Sequence, residues 1–88
     1  MTTYENPVWS TDLTHEIPRE VGDRVRATMA EHGISQARGA DALGASQSQV
    51  SRRLDGLIIF DIKELAIIAE LCGVPVASFL PAPTGGAR

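Results

Sequence analysis

Only two residues, Gly44 and Ala45, separate a segment that ends at Leu43 from one that opens on Ser46. Ser35 is placed to cap the first segment and Gly44 to end it, since serine accepts a free amide at a helix start and glycine tolerates the left-handed backbone at a helix end. Ser46 caps the second segment, and Gln49 three residues later completes a reciprocal capping box with it. Ala37, Ala40 and Leu43 share one face of the first piece, and Val50 and Leu54 one face of the second. A connection this short confines the stretch to short helices meeting at an angle.

The rest of the chain has the same character. From roughly His15 to His32, Ile17, Val21, Val25 and Met29 recur every four residues, with Pro18 acceptable in a first turn and Gly33 placed as the stop. The third helix, begun at Ser46, should end near Gly56. After an apolar connector, Leu57 to Phe60, Asp61 and Glu64 form a second capping box, with Phe60 and Leu65 as a hydrophobic staple. The helix that follows carries Ile62, Leu65, Ala66, Ile68, Ala69 and Cys72, so much apolar surface that it is expected to be the central, most buried one. A last turn from Pro75 to Leu80 is stopped by Pro81. No strand period and no internal repeat is present. The expected fold class is all-α, a compact bundle of about five short helices. Residues 1–14 read as an arm whose Val8 and Trp9 pack back over the domain, 15–80 as the domain, and 81–88 as a flexible Pro/Gly tail.

Composition narrows the function classes. Eighty-eight residues make one small domain, and a core of that size supplies only about 3 to 5 kcal/mol, so a supplement is expected. The single cysteine, Cys72, excludes an internal disulfide, and Cys72, His15 and His32 lack the spacing of a zinc site, so no cofactor or metal is expected. That leaves self-association, for which Ile58, Ile59, Val76 and Phe79 are candidate contacts. The apolar runs are far shorter than the roughly 18 residues of a membrane span, and the expected location is the cytoplasm of a bacterial host cell. No Ser, His and acid set or carboxylate pair suggests catalysis, and no small-molecule substrate is expected.

The net charge is −3, which taken whole argues against binding a polyanion, because affinity for a phosphate backbone comes largely from Lys and Arg displacing counterions. The distribution is uneven. From Ile34 to Leu54 only Asp41 stands against Arg38, Arg52 and Arg53, a local +2 that leaves −5 on the remainder.

Two short helices across a glycine-containing turn form a helix-turn-helix. At about 100° per residue, with the buried direction midway between Val50 and Leu54, Ser48 and Arg52 point away from the core and Gln49 and Ser51 flank them. That stripe has no acidic residue. Gln pairs bidentately with adenine, Arg with guanine, and Ser serves either, so Ser48, Gln49, Ser51 and Arg52 are candidate base readers. Each also has a simpler role: Ser46 and Gln49 are common caps, and Arg52 and Arg53 ordinary surface charge.

Ser35-Gln36, Ala40 and Leu43-Gly44-Ala45-Ser46-Gln47-Ser48-Gln49-Val50-Ser51-Arg52 resemble the helix-turn-helix of lambda-repressor-like and Cro-like phage regulators, and the likeness extends over roughly Val21 to Leu80. Ala40 is small where the helices cross, and Val50 fills the angle between them. Gly39 and Arg53 depart from the pattern, each standing where an apolar residue is usual. Gly39 should leave less core, and Arg53 should lie at the core edge with its stem packed and its guanidinium free. The resemblance implies that Gln47 enters the major groove of a double-stranded DNA operator, that Gln36 contacts a phosphate and braces Gln47, and that the start of the first short helix, with Ser35, also faces phosphates. Arg38 and Arg53 are assigned to phosphates. The leading reading is a sequence-specific regulator of transcription, a phage or prophage repressor or Cro-like protein, with antitoxins as near relatives and a homodimer as a possible form. A protein-interaction module that has lost DNA binding is the alternative. The charge of −3 favours that alternative, and the acid-free face from Gln47 to Arg53 opposes it.

Overall fold

The computed structural model describes residues 8–81, with side chains from residue 16 onward. Its elements are α1 (Val8–Glu31), α2 (Gln36–Leu43), α3 (Gln47–Leu54), α4 (Ile62–Cys72) and a closing 3-10 turn (Val76–Phe79), with no strand among the described residues. No helix among them is long and apolar enough to cross a membrane.

α1 begins seven residues before His15, so residues 8–14 of the expected arm are helical. Pro18 therefore lies inside the helix, where it lacks the amide that would bond the carbonyl of Thr14. The early residues of the arm and the tail from residue 82, with the packing expected of Val8 and Trp9, lie outside the described residues.

The core is built on the four-residue stripe of α1. Val21, Val25 and Met29 are buried with Ala40 of α2, Val50 and Leu54 of α3, Phe60 of the connector, Leu65, Ile68, Ala69 and Cys72 of α4, and Phe79. α1 packs against α3, α2 against both α3 and α4, and the closing turn against α1 and α4. Two glycines shape these contacts. A Cβ on Gly22 would stand 2.2 Å from the carbonyl oxygen of Leu54, so α1 and the end of α3 meet backbone to backbone. Gly39 is different: a Cβ there would meet the tip of Met29, 2.9 Å from Cε. The methionine fills the place of the apolar side chain that α2 lacks, so the core is not depleted there.

α4 is capped as its sequence predicts, with the Glu64 amide donating to Asp61 Oδ1 at 2.7 Å and the Asp61 amide donating to Glu64 Oε1 at 3.1 Å. It is not buried all round. Leu65, Ile68, Ala69 and Cys72 face the core, whereas Ile62 is 72% exposed, because the bundle covers only one side of this helix. Cys72 is a core hydrophobe, and burial pushes its thiol above the ordinary range. Phe79 has no exposed surface and is the residue by which the closing turn plugs the core. It is thereby removed from the candidate subunit contacts, and Ile58 and Val76 are only partly exposed.

Candidate nucleic-acid interface

The turn between α2 and α3 is built from backbone bonds. Gly44 adopts φ 67°, ψ 35°, and its amide and that of Ala45 return to the carbonyls of Asp41 and Ala40 at 3.2 and 3.0 Å. This left-handed residue lets α3 start after a single further residue before its cap. The Ser46 hydroxyl accepts the Gln49 amide and Gln49 Oε1 accepts the Ser46 amide, both at 3.1 Å. Val50 and Leu54, 1% and 0% exposed, then fix which side of α3 faces outward.

On that outward side Gln47, Ser48 and Arg52 are exposed, and Ser51 is half-buried beside them. Gln47, Ser48 and Arg52 make no side-chain hydrogen bond or ion pair to another described residue, so their polar groups are free to meet a ligand. No acidic residue occurs from Gln47 to Leu54. Asp55, just beyond, is held by Arg26, whose Nη2 stands 2.8 Å from its Oδ1. That bond directs the carboxylate toward α1.

One candidate base reader, Gln49, and one candidate phosphate contact, Arg53, are otherwise engaged. Gln49 commits one lone pair of its side-chain carbonyl to the capping box, so bidentate pairing with adenine, which needs carbonyl and amide together, competes with the box for its orientation. Arg53 does not carry a free guanidinium. Its Nε donates to Glu64 Oε1 and its Nη1 to the carbonyl of Gln49, each at 3.1 Å, and the two side chains are only 16% and 20% exposed. Lying at the core edge, its stem is packed as expected, but the charge is answered within the protein.

At the start of α2 the Ser35 hydroxyl accepts the Arg38 amide at 3.0 Å, leaving only its own proton to donate to a phosphate. Gln36 and Arg38 are both exposed. Gln36 borders a small hollow with Arg26, Met29, Ala30, Ile34 and Leu54, and no bond joins it to Gln47, so the expected brace is not formed. The role of Glu64 was not legible in the sequence, where it serves only as the far member of a cap; the charged Arg53 at a position of apolar habit was the available signal.

The architecture is shared with solved proteins. The DNA-binding domain of BldD is 25% identical over 76% of this chain and 97% of that one, with a TM-score of 0.65. The restriction-modification controller protein C.AhdI from Aeromonas hydrophila is 19% identical over 70% of this chain and 94% of that one, with a TM-score of 0.64. The fold also matches part of hydroxypropylphosphonic acid epoxidase from S. wedmorenis, at 16% identity and a TM-score of 0.68, over 76% of this chain but 36% of that one. No curated protein matches the sequence. The turn, the two caps and the buried Val50 and Leu54 thus sit in a helix-turn-helix fold. The BetR domain matches residues 18–86, well over half of the sequence, and the chain belongs to that family.

Proposed function

We propose that the chain is a sequence-specific DNA-binding regulator of transcription that sets α3 into the major groove. The observation that carries this reading is the bare outer face of α3: Gln47, Ser48 and Arg52 exposed, unpartnered among the described residues and free of neighbouring acids within the helix. Gln47 and Arg52 supply bidentate contacts to adenine and guanine, with Ser48 and Ser51 between them. Ser35, Gln36 and Arg38 at the start of α2 approach the phosphates. The likeness to the BldD DNA-binding domain supports the same use of the fold. The finer class, a phage- or prophage-type repressor working in a bacterial cytoplasm, rests on the turn sequence from Ser35 to Arg52.

Fluorescence anisotropy on a duplex from the intergenic region beside the gene and on a random duplex tests this. With Arg53 withheld, Arg38 and Arg52 remain on α2 and α3, so log K against log salt should fall with a slope of about −2 per chain. A flat response on every duplex at about 50 mM salt would replace this reading with the protein-interaction one, which the net charge of −3 favours.

The regulator is proposed to act as a symmetric pair. Ile17, Ile59, Ile62 and Leu80, exposed large apolar residues, line one groove of about 190 Å³ with Pro18, Val21, Phe60 and Leu65. The groove joins the start of the described part of α1 to the connector and α4, and the occupant proposed for it is the same apolar face of a second copy. Sedimentation should find two chains per duplex on a pseudo-palindrome with half-sites about 34 Å apart. One chain on an asymmetric site would remove the pair and leave the groove to another protein.

A further inference from the structure

We propose that Glu64 is a positioning residue that sets specificity, by holding Arg53 against α4 and away from the DNA backbone. This rests on the reading that α3 faces DNA. Arg52 and Arg53 are neighbours in the last turn of α3, yet their circumstances are opposite: Arg52 is exposed and unpartnered among the described residues, and Arg53 is clamped at two points. The clamp is itself fixed. Glu64 Oε1 receives the Asp61 amide as well as Arg53 Nε, and the Glu64 amide is bound by Asp61 Oδ1. A carboxylate anchored through its own capping box cannot follow Arg53 outward, and a pair only 16% and 20% exposed is screened far less by salt than a surface pair.

The consequence for DNA is selective. Sequence-independent affinity is set by the number of phosphates neutralised, each worth about 0.9 in the slope of log K against log salt. Withdrawing one arginine from the flank of α3 lowers that affinity without touching Gln47 or Arg52, which discriminate between bases. The ion pair thus trades affinity for every duplex against preference for the right one.

The test uses the full chain and a random-sequence duplex of about 20 base pairs, titrated by anisotropy from about 50 to 200 mM salt, the range in which phosphate contacts are most visible. Glu64→Gln keeps an oxygen for the Asp61 amide, so the capping box survives. It should bind the random duplex several-fold more tightly at low salt, with a slope steeper by about 0.9. Glu70→Gln, the same charge change at an exposed position on α4, should leave the slope alone. Arg53→Gln by itself should also leave it unchanged, and in the Glu64→Gln background should return it to the wild-type value. The proposal is overturned if Glu64→Gln behaves as Glu70→Gln does, or if Arg53→Gln flattens the wild-type slope. Thermal melting of each variant confirms the fold. If wild-type protein and every variant ignore the duplex, the DNA reading itself has failed; if wild type binds and only the slopes disagree, this inference alone has.

Discussion

The two sides of α3 are treated in opposite ways. Its inner side is sealed: Val50 and Leu54 are at most 1% exposed, and the Leu54 carbonyl lies where a side chain on Gly22 would have to go. Its outer side carries polar groups to which the described protein offers no partner, and no acid within the helix answers Arg52. Packing forces are satisfied on one side, and hydrogen-bonding capacity is left unspent on the other. The difference teaches that α3 is held rigidly in order to present something, since preorganised side chains lose less freedom when a partner arrives.

If that division is real, damage to the inner side should reach stability first. Leu54→Ala should cost about 2 to 5 kcal/mol, the usual range for emptying a buried leucine site, and for a domain this small that approaches the whole folding free energy. Gly22→Ala should also destabilise, by roughly 1 to 3 kcal/mol, because its methyl meets backbone that cannot swing aside, a clash larger than the helix propensity gained. Gly39→Ala is the control. It meets only the flexible end of Met29, so propensity and crowding should nearly cancel. Thermal melting without DNA separates the three, and equal effects at Gly22 and Gly39 would show that the α1 to α3 approach is looser than described.

On the outer side the order reverses. Arg52→Ala should leave the melting temperature nearly unchanged and weaken binding to a selected site by about 1 to 3 kcal/mol, with preference relaxed at one G·C pair. Gln47→Ala should do the same at a neighbouring position. Competition against single-base variants of the site reads this directly. Uniform loss on all sequences would make both residues phosphate contacts and erase the distinction between reading and anchoring on this face.

Much of this arrangement was legible because local rules carry it. Both capping boxes, the glycine turn and the buried pair Val50 and Leu54 depend on residues at most four apart, and spacing alone reveals such pairs. What spacing could not show were contacts between elements distant in sequence. Gly22 reads as a weak point in a helix until Leu54 is seen against it, and Gly39 reads as a missing side chain until Met29 is seen to supply one. The same limit affects the site: in sequence Glu64 is legible only as a member of its own helix's capping box, and only the fold shows that it also answers the charge of Arg53. At the chain's start Pro18 reads in sequence as the mark of a first turn, whereas the apolar spacing runs on through Leu13 and Trp9 and the helix begins at Val8.

Apart from the Gly39→Ala control, the smallest expected effect falls on the boundary between the two sides. Gln49 flanks the outward face in angle, yet its carbonyl caps Ser46 and its backbone carbonyl receives Arg53. Gln49→Ala removes one reciprocal cap bond and should cost about 0.5 to 1 kcal/mol of stability. Gln49→Glu should restore most of that, because glutamate serves the same box, while placing a negative charge beside the phosphates and weakening all duplexes alike. Discrimination among bases should be unchanged in both variants. If Gln49→Ala instead kept the melting temperature and relaxed preference at a single A·T pair, the capping box would open on DNA and Gln49 would belong with Gln47 and Arg52 among the readers. The line between the held and the presented side of α3 would then pass between Gln49 and Arg53, and the clamp at Glu64 would be what keeps it there.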